Sequence, residues 1–254
     1  MKKILVLMIC AVFAFSGAAF SAEETVTVVS FAGDVKITPA GSNSPVACEE
    51  GMVLGEGARV ITGDGSEVTL AFDKPKRNLV KAKSNTEVVI KLIGAEKIEL
   101  IDGELFTLLK NLKRGEEFQV RTPCAVCGAR GTGWVMITDG VTTWMGVFQN
   151  DVWMQGIDPN GNPIGDKFWT GAGFFRVTGQ FQLPGGAQKM TQEQLNAFLA
   201  EFGLSGAGSN WQGFFGTWRE QQLDNLQQKK DQQKLDELRK KKEEYRGGGE
   251  ITKG

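Results

Sequence analysis

The sequence predicts a mainly β protein: many short strands forming a β-sandwich or β-solenoid-like body, followed by C-terminal α-helices. Three observations lead there. From Thr25 to Val177 apolar residues recur with period two and are punctuated by Gly, Asp-Gly and Asn-Gly. No helical segments intervene between these runs, which removes a doubly wound α/β fold. After Gly186 the period changes from two to that of a helix.

The chain opens on a different signal. Lys2 and Lys3 precede an apolar run, Ile4 to Phe20, broken only by Ser16 and Gly17. Small residues then lead into Glu23 and Glu24. This is the layout of a secretory signal peptide, with cleavage expected after Ser21 or Ala22 and the leader spanning residues 1–22. An uncleaved anchor is the alternative, but the run is shorter than the ~20 residues a spanning helix needs. Cys10 follows Ile9 rather than a small residue, so a lipid-attachment site is not expected. Loss of the leader, which carries two lysines and no acid, takes the net charge from −1 to −3. No later segment is long and apolar enough to cross a membrane. The expectation is a periplasmic or secreted protein.

Strands are expected over an all-β domain at residues 25–180. Val68, Leu70 and Phe72 share one face of the first well-patterned segment. Val88, Ile90 and Leu92 share a face opposite Glu87 and Lys91. Similar runs cover Val26–Phe31, Val35–Thr38, Lys97–Ile101, Glu104–Leu109, Glu117–Arg121, Gly133–Thr138, Thr142–Val147 and Phe174–Val177, about a dozen strands in all. Asn160-Gly161 reads as a hairpin turn. The Asp158 to Asp166 loop has Pro163 and Trp169 where a calcium loop needs Gly and Glu.

A helical region is expected at 188–246, with a flexible tail at 247–254. Thr191 and Gln194 have capping-box spacing, and Leu195, Phe198, Leu199 and Phe202 form one helical face ending at Gly203. Trp211, Phe214, Phe215 and Trp218 repeat the pattern. Residues 219–246 read as a polar helix, either solvated or a docking element for a partner.

Composition excludes much chemistry. There is no His, which removes imidazole-based catalysis and His-ligated metals. Lys plus Arg is 29 and Asp plus Glu is 30, a balance that gives no long-range pull toward nucleic acid or acidic lipid. Three cysteines remain after the leader: Cys48, Cys124 and Cys127. Cys124 and Cys127 have CxxC spacing, but Pro123 precedes them and the flanks read as strands rather than a helix N-terminus. Two small buried residues, a disulfide involving Cys48, or a redox pair are the readings left open. No metal site and no cofactor are expected. Gly128 to Gly133 lacks the pattern of a nucleotide-binding loop. Trp134, Trp144, Trp153 and Trp169 could make a stacking platform for sugars or pack in the sheets. No carboxylate pair stands out; Asp64, Asp73, Asp102, Asp139 and Asp151 lie in expected turns.

Several segments together resemble the FecR-like domain, the periplasmic module of iron-dicitrate-type anti-sigma regulators. These are Leu54 to Phe72 with its Thr62-Gly-Asp-Gly65 turn, Ile98 to Leu105, and Phe118 to Val135, which contains Thr122-Pro123 and Arg130-Gly131-Thr132. Thr142 to Met154 follows in the same manner. The resemblance covers about residues 30–155. Cys124 and Cys127 stand where the family has small residues, and Asn150 where it has Gly. The resemblance implies an all-β, non-enzymatic envelope module that, in the regulators, receives a signal by contact with an outer-membrane receptor. The regulators' sigma-binding segment and membrane span would lie where the leader stands, so anti-sigma activity does not carry over. Thr122, Pro123, Arg130, Gly131 and Thr132 are the motif residues. Pro123 should fix a strand-to-turn transition, and Arg130 should tie two turns through carbonyl or carboxylate contacts. The expected function is a binding or signalling scaffold contacting an envelope protein or polysaccharide, with no nucleic acid and no membrane span once the leader is removed. A glycan- or peptidoglycan-binding structural protein is the alternative, and a thiol redox protein a weaker one.

Overall fold

A computed structural model describes residues 25–74, 76–110 and 112–201, with side chains through residue 196. The leader, Phe202, and the expected helices beyond it lie outside the described residues.

Among the described residues, seventeen strands are hydrogen-bonded into one continuous sheet that folds over itself into two layers. Layer one contains β1 (Val26–Ala32), β4 (Val53–Leu54), β6 (Glu67–Ala71), β7 (Asn78–Ala82), β12 (Gly133–Thr138), β13 (Thr142–Gln149), β16 (Phe174–Gly179) and β17 (Gln188–Lys189). Layer two contains β2 (Val35–Thr38), β3 (Val46–Ala47), β5 (Arg59–Thr62), β8 (Glu87–Ile93), β10 (Phe118–Arg121), β11 (Ala125–Ala129), β14 (Asp151–Ile157) and β15 (Pro163–Gly171). The long strand β9 (Glu96–Leu109) belongs to both. Layer one runs β4-β1-β6-β7-β9-β12-β13-β16-β17. Layer two runs β3-β2-β5-β8-β9-β10-β11-β14-β15. Every pairing is antiparallel except β9 with β10.

The two separate runs expected at 97–101 and 104–109 are one element that turns a corner. Residues 96–102 pair with β8, residues 103–109 with β7 and β12. Gly103 makes the corner at φ +101°, and a Cβ there would lie 2.6 Å from the Cα of Thr86. The corner is sealed by Thr86, whose Oγ1 accepts from Glu104 N at 3.0 Å. Asp102 is therefore a strand residue, not the turn residue expected.

One hydrophobic core fills the space between the layers. Val28, Leu70, Val80, Leu105 and Trp134 enter from layer one; Val60, Ile90, Ile98, Val120 and Met154 enter from layer two. Period-two alternation places these residues inward and their neighbours outward. Phe118 bridges the layers, edge-on to Phe72 at 5.0 Å and to Trp134 at 6.2 Å.

A second, smaller core covers part of layer one's outer side. Phe106, Val135, Ile137 and Trp144 bury there under Met190, with Leu195 and Phe175 packed against them. Trp144 stacks on Phe175 at 5.4 Å. Both faces of β12 are consequently buried. The stretch expected to be purely helical thus begins with β17, paired to β16, before the helix α1 (Gln192–Glu201). The expected capping box is formed: Gln194 N donates to Thr191 Oγ1 at 3.2 Å, and Thr191 N donates to Gln194 Oε1 at 2.6 Å.

Candidate functional site

The motif residues sit at the two ends of β11, and the two ends differ. At one end, Thr122, Pro123 and Cys124 link β10 to β11, the turn closed by Thr122 N donating to Ala125 O at 2.8 Å. Thr122 is fully buried. Its Oγ1 accepts from Cys124 N at 3.2 Å and Ala125 N at 3.0 Å, satisfying the turn's own amides. The same oxygen lies 2.7 Å from Thr143 Oγ1, which donates to Thr138 Oγ1 at 3.2 Å. The threonines tie layer two to the β12–β13 hairpin of layer one.

At the other end, Arg130 is exposed and forms no tie between turns. Shorter side chains make that tie instead. Asn150 Nδ2 donates to Gly131 O at 2.7 Å, and Thr132 Oγ1 donates to Gln149 O. Gly131 sits at φ +113°, a conformation that suits glycine. A compact amide or hydroxyl reaches the adjacent turn with less rotamer entropy to lose than an arginine, so the long cation is left to solvent.

The cysteines are buried and unpaired thiols. Cys127 and Cys48 belong to the main core. Burial pushes the Cys127 thiol far above its ordinary range and raises Cys48, the latter with a contribution from Glu49. Cys124 lies apart, its Sγ donating to Gly140 O at 3.7 Å. Burial is the main reason its pKa rises to about 11, with Asp139 adding to the rise and a Thr143 hydrogen bond opposing it. All three shifts run against thiolate formation.

The four strand tryptophans do not share a platform. Trp134 and Trp144 are buried in different cores, and Trp153 is buried on layer two's outer side. Trp169 is 55% exposed. It lies directly opposite Trp153 in the β14–β15 pairing, so both rings project from the same side. Around them the fold assembles groups far apart in sequence. Trp153 lies over Gly128, where a Cβ would come within 2.5 Å of the ring. Its Nε1 donates to Glu117 Oε1. Lys167 Nζ sits 3.8 Å from the centre of the Trp153 ring and 3.4 Å from Glu117 Oε1. Burial tends to raise the Glu117 pKa, but hydrogen bonds from Trp153 and Gln119 and the Lys167 charge outweigh it and hold the carboxyl below its ordinary value. The result is an ordered group of indole, ammonium and carboxylate on the same side of the sheet as an exposed indole. Such a surface can stack on and hydrogen-bond to a partner. Lys167 and Glu117 carry no local signal in the sequence, since their pairing depends on strand register.

Among the described residues no group of three His, Cys, Asp or Glu side chains converges as metal ligands. No helix among them is long and apolar enough to cross a membrane.

Comparison with known proteins bears on the same stretch of chain. Residues 58–152 match the family model described as FecR protein. No curated protein matches the sequence. Two crystal structures of a candidate anti-sigma factor from Parabacteroides distasonis ATCC 8503 are similar in part, each with a TM-score of 0.44 and 12% identity over 56% of this chain. This chain spans 63% and 64% of those two, just under two thirds of their length. From β5 to the start of β14, including both turns of the Thr122 and Arg130 motif, the chain carries a FecR-like domain.

Proposed function

We propose that this protein is a non-enzymatic binding scaffold of the cell envelope, periplasmic or secreted after removal of residues 1–22, in which a FecR-like body presents a contact face to an envelope protein. Residues 25–180 form the recognition part and 188–246 a docking element, with 247–254 as a tail. The family match over residues 58–152 supports a regulatory or signalling kind of domain. The observation that carries the reading is Trp169, an exposed indole opposite Trp153 in the β14–β15 pairing, beside the Lys167–Glu117 pair that Trp153 contacts. A large aromatic ring left in water next to pre-ordered polar groups is the composition of a contact hot spot.

The test places a photo-crosslinking residue at Trp169 and, separately, at Asp64 on a distant turn, in the producing cell. A discrete protein adduct at 169 that is missing at 64 supports the proposal. Equal labelling at both positions, or saturable turnover of a substrate by the purified protein, overturns it.

Glycan binding is the second reading, and the exposed ring of Trp169 is what supports it. Tryptophan emission titrated with peptidoglycan fragments and oligosaccharides tests it; an unchanged spectrum across the panel removes it.

A further inference from the structure

The whole-chain charge balance conceals a segregation that the topology creates. Three turns lie side by side at one end of the sandwich. The β6–β7 turn carries Lys74, Lys76 and Arg77. The β9–β10 connection carries Lys110, Lys113 and Arg114, and the β11–β12 turn carries Arg130. The pairings Ala71↔Leu79, Asn78↔Leu109 and Gly133↔Leu108 bring them together. All seven side chains are exposed. The acids at this end are fewer. Asp73 Oδ1 accepts from Arg77 N and Asn78 N at 2.8 Å each, Glu116 accepts from Lys113 N at 2.8 Å, Glu56 accepts from Leu92 N, Glu96 and Glu117 pair with Arg121 and Lys167, and Asp151 begins β14. The opposite end has Asp34, Asp64, Asp139 and Asp158 in its turns. Strands of five to eight residues at about 3.3 Å each hold the two ends roughly 16–26 Å apart, beyond the Debye length of ~8 Å in physiological salt. Each end therefore acts on its surroundings with its own charge.

We propose that the basic end docks on the headgroups of an anionic phospholipid bilayer. Two further observations favour a bilayer over a soluble polyanion. Ile93, 74% exposed and opposite Glu96, and Val53, 61% exposed and opposite Thr27, stand at this same end. Apolar side chains among lysines and arginines are the composition of an interfacial surface. The chain also enters the fold here: β1 starts at Val26, opposite Leu54, and Thr27 lies opposite Ala71. Residues 21–25 alone separate that point from the apolar run Ile4 to Phe20, a reach of at most about 17 Å. While the leader is attached, the basic end is the end nearest the membrane, and the acidic end is repelled from it. The proposal does not depend on the Trp169 face.

The test is co-sedimentation of the full chain with vesicles of phosphatidylcholine, with and without phosphatidylglycerol. The leader can bind both kinds, so phosphatidylglycerol dependence is the readout. Two variants are compared, each checked for fold by circular dichroism. One is Lys74→Gln/Lys76→Gln/Lys113→Gln/Arg130→Gln. The other, Lys229→Gln/Lys230→Gln/Lys234→Gln/Lys240→Gln, makes the same change of net charge in the C-terminal region. The expected result is a phosphatidylglycerol-dependent gain for the wild type and the C-terminal variant, weakened at least about tenfold in the basic-end variant. Raising salt from about 50 to about 300 mM should abolish the gain in the wild type. Equal binding by the basic-end variant overturns the proposal. So does a gain insensitive to salt. Retention on heparin with no preference for phosphatidylglycerol assigns the end to a soluble polyanion and overturns it as well.

Discussion

The two ends of the sandwich are made from similar lengths of turn but are held in different ways. The end containing the Gly103 corner and the Thr122 link is tied by buried hydroxyls. Thr122, Thr143 and Thr138 join the layers, and Thr62 Oγ1 accepts from Thr86 N at 2.9 Å beside the corner. The opposite end is tied by short caps at its turns, Asp73, Asn150 and Thr132, while its long cations project into solvent. One end is built to be rigid, and the other to be rigid at the backbone only. The β11 motif reaches both, so residues of one sequence signature serve two purposes.

The change expected to disturb this contrast most is Gly103→Ala. The position is held at φ +101°, and the nearest obstacles are backbone and side-chain atoms of Thr86, which is itself buried at the corner. Neither conformation nor space accommodates a methyl group. The expected loss is roughly 2–5 kcal/mol, from backbone strain and overpacking together. Urea unfolding reads it directly. A midpoint equal to wild type would mean that the corner is soft and that the two layers are joined elsewhere.

Thr122→Val should come next. The substitution keeps shape and burial but leaves Cys124 N and Ala125 N without their partner and removes one of the two hydroxyl contacts of Thr143. An expected cost of about 1–3 kcal/mol follows from stranding buried polar groups. Thr122→Ser should recover most of it, because the hydroxyl is what the turn uses. If Val and Ser behave alike in thermal unfolding, the network is incidental and the methyl group matters instead.

The ends were unequally legible in the sequence. Alternating strands with one face in water, such as β2, β6 and β8, show their register directly, and the Thr191–Gln194 cap shows its helix start. β11 hides its role because all five residues are buried and small, so no alternation survives. β15 was obscured by the calcium-like loop that precedes it, although the Asn160-Gly161 hairpin turn could be read. The Gly103 corner is ambiguous because Asp-Gly also marks an ordinary turn. The Trp153–Lys167–Glu117 cluster and the basic end were not legible at all. The cluster's members lie 14 to 50 positions apart, as Lys167 and Glu117 do at the far limit, the three basic turns are likewise distant in sequence, and only strand pairing brings either group together. Arg130 misled in the other direction: a lone charge in an apolar stretch suggests burial, yet Gly131 turns the chain outward at that point.

Arg130→Ala should have the smallest effect on stability, and for that reason it separates the two ends most cleanly. The guanidinium has no hydrogen bond or ion pair among the described residues, and Asn150 and Thr132 already hold the turn. Removing an exposed, unpartnered side chain is expected to change unfolding free energy by no more than about 0.5 kcal/mol. Asn150→Ala, by contrast, removes the bond to Gly131 O and should be the more destabilising of the two. The measurement is a pair of urea curves on Arg130→Ala and Asn150→Ala. If Arg130→Ala proves the costlier, the cation is a structural tie after all, and the division between a tied end and a presenting end fails at the residue on which it was drawn.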